Sequence, residues 1–207
     1  MYRFIIFWDF DGVIKDSVSV KTDAFFKLFQ PYGAEIAGRV RKHHEENGGM
    51  SRFEKFPIYI RWSGEEPTEE RVNALCDQFS RIVLQNVINS PWVPGVEKYL
   101  RLNPQNQIFI LVSATPQAEI EQILQALDLR KSFVAVFGAP TSKKEAIRIA
   151  LENYKISPQY CLMIGDATAD MEAARSNNVP FLLRLHATNR QIIEKYKVDY
   201  VEDFTAL

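Results

Sequence analysis

Phe4-Ile5-Ile6-Phe7-Trp8 is an unbroken apolar run, and Asp9 ends it abruptly. A strand with one wet face alternates polar and apolar residues. A strand covered on both faces by helices is apolar throughout. Ile108 to Val112 is a second run of this kind, and Phe133 to Phe137, Leu162 to Ile164 and Phe181 to Leu183 read as three more. Between the runs the spacing is helical. Ile120, Ile123, Leu124 and Leu127 share one face of a predicted helix over 116–127, with Thr115 expected as its N-cap and Pro116 in its first position. Ile147, Ala150, Leu151 and Tyr154 share one face over 145–154. Strands alternating with helices imply right-handed crossovers, so the predicted fold class is α/β, a doubly wound parallel sheet.

The stretch 17–90 interrupts this pattern. It holds no convincing buried strand. Val72, Leu75, Cys76, Phe79, Ile82, Val83 and Val87 follow helical spacing behind a possible cap at Thr68, and Ala24, Phe25 and Leu28 suggest an earlier helix. A chain of 207 residues suits one enlarged domain or a domain carrying an insertion. The predicted organisation is an α/β core over 1–16 and 91–207, with a helical insert over 17–90.

Charge and composition exclude some classes. Lys plus Arg number 25 and Asp plus Glu 26, a balance that argues against a general nucleic-acid binder. Two distant cysteines, Cys76 and Cys161, make neither a disulfide framework nor a four-thiolate zinc site, and read as small buried hydrophobes. The first apolar run is too short for a signal peptide, and no run reaches membrane length. The chain is therefore expected to be soluble and cytoplasmic, with no nucleic-acid or membrane partner.

In open α/β sheets, ligands bind beyond the C-terminal ends of the strands. The residues found there carry chemistry. Asp9-Phe10-Asp11-Gly12-Val13 follows the first strand, Ser113-Ala114-Thr115 the second, and Gly165-Asp166 with Asp170 the run at 162–164. Ser142-Lys143-Lys144 opens a helix on the same side. Four carboxylates converging on one edge repel unless a cation intervenes, and hard oxygen ligands with few protein donors suit Mg²⁺. A hydroxyl and a lysine add donors for phosphate oxygens. One carboxylate can form an aspartyl-phosphate, and a second, two residues on, can protonate the leaving oxygen.

D-F-D-G-V at 9–13, Ser113, Lys143 and G-D-A-T-A-D at 165–170 resemble, in order and spacing, the four motifs of the haloacid dehalogenase-like phosphohydrolase superfamily. The resemblance covers nearly the whole chain and implies its Rossmann-like core. It implies that Asp9 is the nucleophile and a Mg²⁺ ligand, and that Asp11 is the general acid/base with its backbone carbonyl on the metal. By the same resemblance Ser113 donates to the transferred phosphoryl group, Asp166 is a direct Mg²⁺ ligand and Asp170 supports the metal site. Lys143 precedes Asp166 by 23 residues, as in related phosphatases, with Lys144 as the alternative.

Asp11 sets the chain apart from the namesake dehalogenases, which lack that second acid. The mutase branch has a histidine twelve residues after the nucleophile, where this chain has Lys21. The 17–90 insert is similar to the helical cap of phosphoglycolate phosphatase-like members, which closes over the site and contacts the leaving group. Residues 39–61 carry Arg39, Arg41, Lys42, Arg52, Lys55 and Arg61 against Glu45, Glu46 and Glu54. Arg52, behind Asn47-Gly48-Gly49-Met50-Ser51, is the first candidate to grip an anionic leaving group. Thr115 and Lys21 are further substrate-contact candidates. Of His43 and His44, adjacent on a helix, at most one is expected to reach the site. The leading expectation is a Mg²⁺-dependent phosphatase of a small phosphorylated metabolite. The alternatives are a sugar-phosphate mutase and, outside catalysis, an aspartate-phosphorylated receiver or binding module.

Overall fold

The computed structural model of the chain describes residues 4–206. Among them, six strands form one parallel sheet: β1 (Ile5–Trp8), β2 (Ile108–Pro116), β3 (Ala135–Ala139), β4 (Cys161–Gly165), β5 (Phe181–Arg184) and β6 (Tyr200–Val201). Their order is β3-β2-β1-β4-β5-β6. The chain builds outward from β1 on one side, then returns to build on the other. β1 is therefore central, with Trp8 aligned to Leu111 of β2 and Ile164 of β4.

Alternate residues of β1 enter opposite cores. Ile6 and Trp8 pack with Phe109, Leu111 and Leu124, whereas Ile5 and Phe7 pack with Ile110, Met163, Ile147 and Ala174. This explains the unbroken apolar run. Each such side chain contributes about 1.5–3 kcal/mol by leaving water. Helices α5 (Val96–Leu102) and α6 (Gln117–Ala126) cover the first face, and α7 (Lys143–Tyr154) and α8 (Thr168–Ser176) the second. Helix α9 (Arg190–Tyr196) packs Ile192 against Leu183 and Leu185.

Four α-helices fill the interval between β1 and Pro91: α1 (Val18–Phe29), α2 (Ala34–Glu46), α3 (Arg52–Trp62) and α4 (Glu69–Asn89). They share an aromatic cluster in which Phe25 touches Phe56, Tyr59 and Phe79. Thr68 caps α4, accepting a hydrogen bond from Arg71 N at 3.2 Å. Ser51 and Glu54 form a reciprocal capping box at the start of α3. The turn before it lies on the sheet domain, since a Cβ on Gly49 would fall 2.5 Å from the Ala169 Cβ.

Two expectations are corrected. Thr115 does not cap α6. Pairing of β2 with β3 continues to Pro116 opposite Ala139, so Thr115 stays in the strand and Pro116 is the N-cap. The third strand begins at Ala135 rather than Phe133, because Arg130–Ser132 form a 3₁₀ turn and Phe133 enters the core behind it. Cys76 and Cys161 are free and buried. Among the described residues, no helix is long and apolar enough to cross a membrane.

Candidate active site

Asp9 leaves β1 with its backbone N–H still donating to Ile164 O, at 2.9 Å. This ties the first acid to β4, whose end carries Asp166. The intervening turn needs Gly12. Its φ is +76°, and a Cβ there would fall 2.2 Å from Asp166 Oδ2. Gly165 serves the same purpose one strand over, where a Cβ would lie 2.4 Å from Asp170 Cγ. Both glycines let backbone approach a carboxylate that any side chain would displace.

The result is a buried acidic cluster. Asp9, Asp166 and Asp170 each present a carboxylate oxygen, and these atoms lie within 4.8 Å of one another. Lys143, from the first turn of α7, is buried between two of them, with Nζ 2.9 Å from Asp9 Oδ2 and 2.5 Å from Asp170 Oδ1. The other oxygen of Asp170 accepts the Ala167 N–H at 3.1 Å. Burial and the charges of Asp170 and Asp166 push the Asp9 carboxyl well above its usual range, against the pull of Lys143. Asp170 is raised too, chiefly by burial. Burial works against the Lys143 ammonium, but Asp170 and Asp9 outweigh it and hold the lysine charged. Three buried acids with one lysine retain excess negative charge. Their all-oxygen donor set fits a hard divalent cation.

Asp11 faces the same cavity with different partners. Ser17 Oγ donates to its Oδ1 at 2.6 Å, and Lys21 Nζ forms an ion pair with its Oδ2. Lys21 also donates to Thr115 Oγ1 at 2.8 Å. Burial raises the Asp11 carboxyl, but the Lys21 charge and the bonds from Lys21 and Ser17 win and lower it. Its carboxylate lies outside the three-acid cluster. Ser113 is buried beside Thr115, whose N–H donates to its Oγ at 3.1 Å. It lines an adjoining pocket that shares Ala114 and Lys143 with the main cavity. Lys144 is exposed, so α7 turns only Lys143 inward.

The opposite wall of the cavity comes from the inserted helices, with Lys21, His44, Arg52 and Lys55 lining it. Arg52 is buried, and its guanidinium is already engaged by both oxygens of Glu119 on α6 and by Ser80 on α4. Lys55 Nζ lies 2.7 Å from His44 Nδ1. His43 turns away and sits against Tyr59 and Trp62.

Sequence reasoning overlooked His186. It lies three residues beyond Leu183, the end of the last apolar run, where the rule of inspecting each strand end would have found it. Its Nε2 lies 3.0 Å from Asp166 Oδ2, and Thr188 Oγ1 lies 3.0 Å from its Nδ1. Asn189 secures the same loop by donating to the backbone oxygens of Asp166 and Arg184. Glu119 and the Lys55–His44 pair were also missed, because their roles depend on contacts between distant segments.

The sequence profile of the haloacid dehalogenase-like hydrolase family matches residues 5–183. No curated protein matches the chain. Among solved structures, CbbY from Rhodobacter sphaeroides in complex with phosphate is similar at a TM-score of 0.78 and 13% identity, covering 100% of this chain and 96% of that one. The β-phosphoglucomutase of Clostridium difficile is similar at 0.77 and 23% identity, covering 100% and 93%. A predicted phosphoglycolate phosphatase from Haemophilus somnus is similar at 0.75 and 20% identity, covering 99% and 96%.

Proposed function

The chain belongs to the haloacid dehalogenase-like hydrolase family, and from that premise we propose that it is a Mg²⁺-dependent phosphatase acting on a small phosphorylated metabolite. One observation carries the reading. Asp9, Asp166 and Asp170 converge within 4.8 Å around Lys143, on a cavity that Asp11 also lines. The similar CbbY structure holds phosphate.

Asp9, Asp166 and Asp170 would hold the metal, with the Asp11 carbonyl as a further ligand. When bound, Mg²⁺ supplies positive charge that offsets the phosphoryl oxygens. The protein's own groups do the rest. An Asp9 oxygen attacks phosphorus, forming the aspartyl-phosphate as the bond to the leaving oxygen breaks. The hydrogen-bonded Lys21–Asp11 pair gives that oxygen its proton. Water then attacks phosphorus and its proton returns to the pair. This releases phosphate and restores Asp9, with net consumption of one ester and one water. Lys143 pairs with Asp9 and Asp170 and donates to the phosphoryl group, and Ser113 is a second donor. The inserted helices act as a cap that shuts out bulk water. Arg52 and Thr115 border the leaving-group side, where Arg52 acts through its bond to Glu119 as a tie between cap and core.

The test is hydrolysis of p-nitrophenyl phosphate with Mg²⁺, with excess chelator, and by the Asp9→Asn variant. Release of nitrophenolate that needs both Mg²⁺ and Asp9 is expected. Hydrolysis indifferent to both would overturn the reading.

A further inference from the structure

The cations lining the cavity are not equally partnered. Lys21 pairs with Asp11, Arg52 with Glu119, and Lys143 with Asp9 and Asp170. Lys55 is the exception among the described residues. It is buried, it lines the cavity, and the ion pairs formed there leave it without a carboxylate. Its hydrogen-bond partner is the imidazole of His44, itself buried, and Phe25 packs beside both. A capping box fixes the start of α3, so Lys55 reaches the cavity from a rigid element. The cavity thus has an acidic floor on the sheet and, on its basic wall, one buried amine that no carboxylate compensates.

We propose that Lys55 and His44 form the receptor for a second anionic group, a carboxylate or phosphate carried by the substrate's leaving group. The inference rests on the phosphatase reading of the same site, and it names the substrate class that the reading leaves open. Arg52 cannot serve this purpose while both its prongs lie on Glu119.

Burial weakens the charge of the pair. Burial, with Lys21 and Lys143 nearby, lowers the Lys55 ammonium from its usual 10.5 to about 7, although Glu54 and Asp11 pull the other way. Burial, Lys55, Lys21 and His43 lower His44 as well. Glu45 and Glu46 of α2 also line the cavity, at its exposed rim. An anion arriving against Lys55 favours the protonated amine, so binding draws a proton from solvent.

The experiment is isothermal titration calorimetry on the full chain with Mg²⁺, at about pH 8, where free Lys55 is mostly neutral. The probes are propylphosphonate, 3-phosphonopropionate and propane-1,3-bisphosphonate, whose P–C bonds are not phosphoesters. The two probes that carry a second anionic group should bind at least about tenfold more tightly than propylphosphonate. Their heats should vary with the buffer's ionisation enthalpy, in the sense of proton uptake. The tighter of the two identifies carboxylate or phosphate as the group received. In Lys55→Met the ratio of dissociation constants should collapse to within about twofold. Equal affinities in the native protein, binding of no probe, absence of proton uptake, or a ratio retained in Lys55→Met would each overturn the proposal. A native protein that shows the tenfold preference, loses it in Lys55→Met, and yet fails to hydrolyse p-nitrophenyl phosphate would remove the phosphatase reading and leave the receptor standing.

Discussion

Arg52 on α3 and Glu119 on α6 meet in a two-pronged ion pair, with Nη1 2.8 Å from Oε2 and Nη2 2.5 Å from Oε1. Both side chains are buried, and 67 residues of chain separate them. The pair joins the inserted helices to the sheet and its helices beside the cavity that holds the acidic cluster. Ser80 Oγ, 2.6 Å from Glu119 Oε2, ties α4 into the same junction. A guanidinium so placed has a structural partner of its own, which makes its contribution measurable apart from any substrate.

Removing one partner of a buried pair strands a charge, which costs about 3–5 kcal/mol, whereas replacing both with apolar groups is often neutral. Glu119→Ala should therefore lower stability in urea by about that amount. The double variant Arg52→Met, Glu119→Leu should recover most of it. A double variant as unstable as the single one would mean that packing, not charge, holds the junction.

Asp9→Asn keeps the shape of the side chain and removes the attacking charge. Turnover should fall by at least about 10³-fold, with the circular dichroism spectrum unchanged. More than a tenth of native activity in the purified variant would exclude Asp9 as nucleophile.

Lys143 and Lys144 are adjacent but differ in environment. Lys143→Ala leaves Asp9 and Asp170 facing each other without their buried cation, so activity on every phosphate ester should drop sharply. Lys144→Ala alters an exposed residue and should change kcat/KM by less than about twofold. Comparable losses from both would contradict the inward geometry of Lys143.

Chelation should abolish hydrolysis and Mg²⁺ should restore it, while Ca²⁺, which prefers looser and larger coordination, should restore little. Gly12→Ala tests the geometry behind this, because its Cβ would strike Asp166 Oδ2. That variant should need far more Mg²⁺ for half-maximal rate, read from a metal titration. An unchanged metal requirement would separate Asp166 from the metal.

Lys55 makes folding stability depend on pH. Its folded value is about 7 against an ordinary 10.5, so between these limits the unfolded chain binds more protons. Stability should therefore rise with pH across this window and flatten below it, by at most about 1.4 kcal/mol per pH unit. Subtracting the urea stability of Lys55→Met at each pH removes the other titrating groups. A flat difference between pH 7 and 10 would show that Lys55 stays charged in the fold.

Local features carry most of the fold and half of the site. A fully apolar strand announces helices on both of its faces, and Asp9, Asp11, Asp166 and Asp170 follow their strands so closely that strand direction alone brings them to one edge. The choice between Lys143 and Lys144 follows from helical phase once α7 is seated, because one residue turns the side chain from the cavity to solvent. The basic wall is another matter. Arg52 and Lys55 sit three residues apart on α3 and look equivalent in a charge count. Glu119, on a distant helix, engages one of them, while burial beside His44 leaves the other without a counter-ion. Thr115 looked like a helix cap, but continued pairing of β2 with β3 kept it in the strand to meet Lys21. The sequence by itself determined which carboxylates gather at one edge of the sheet, because they are fixed to strand ends a few residues away. Only the tertiary structure decided which charges are compensated, because burial and ion pairing are set between segments far apart in the chain.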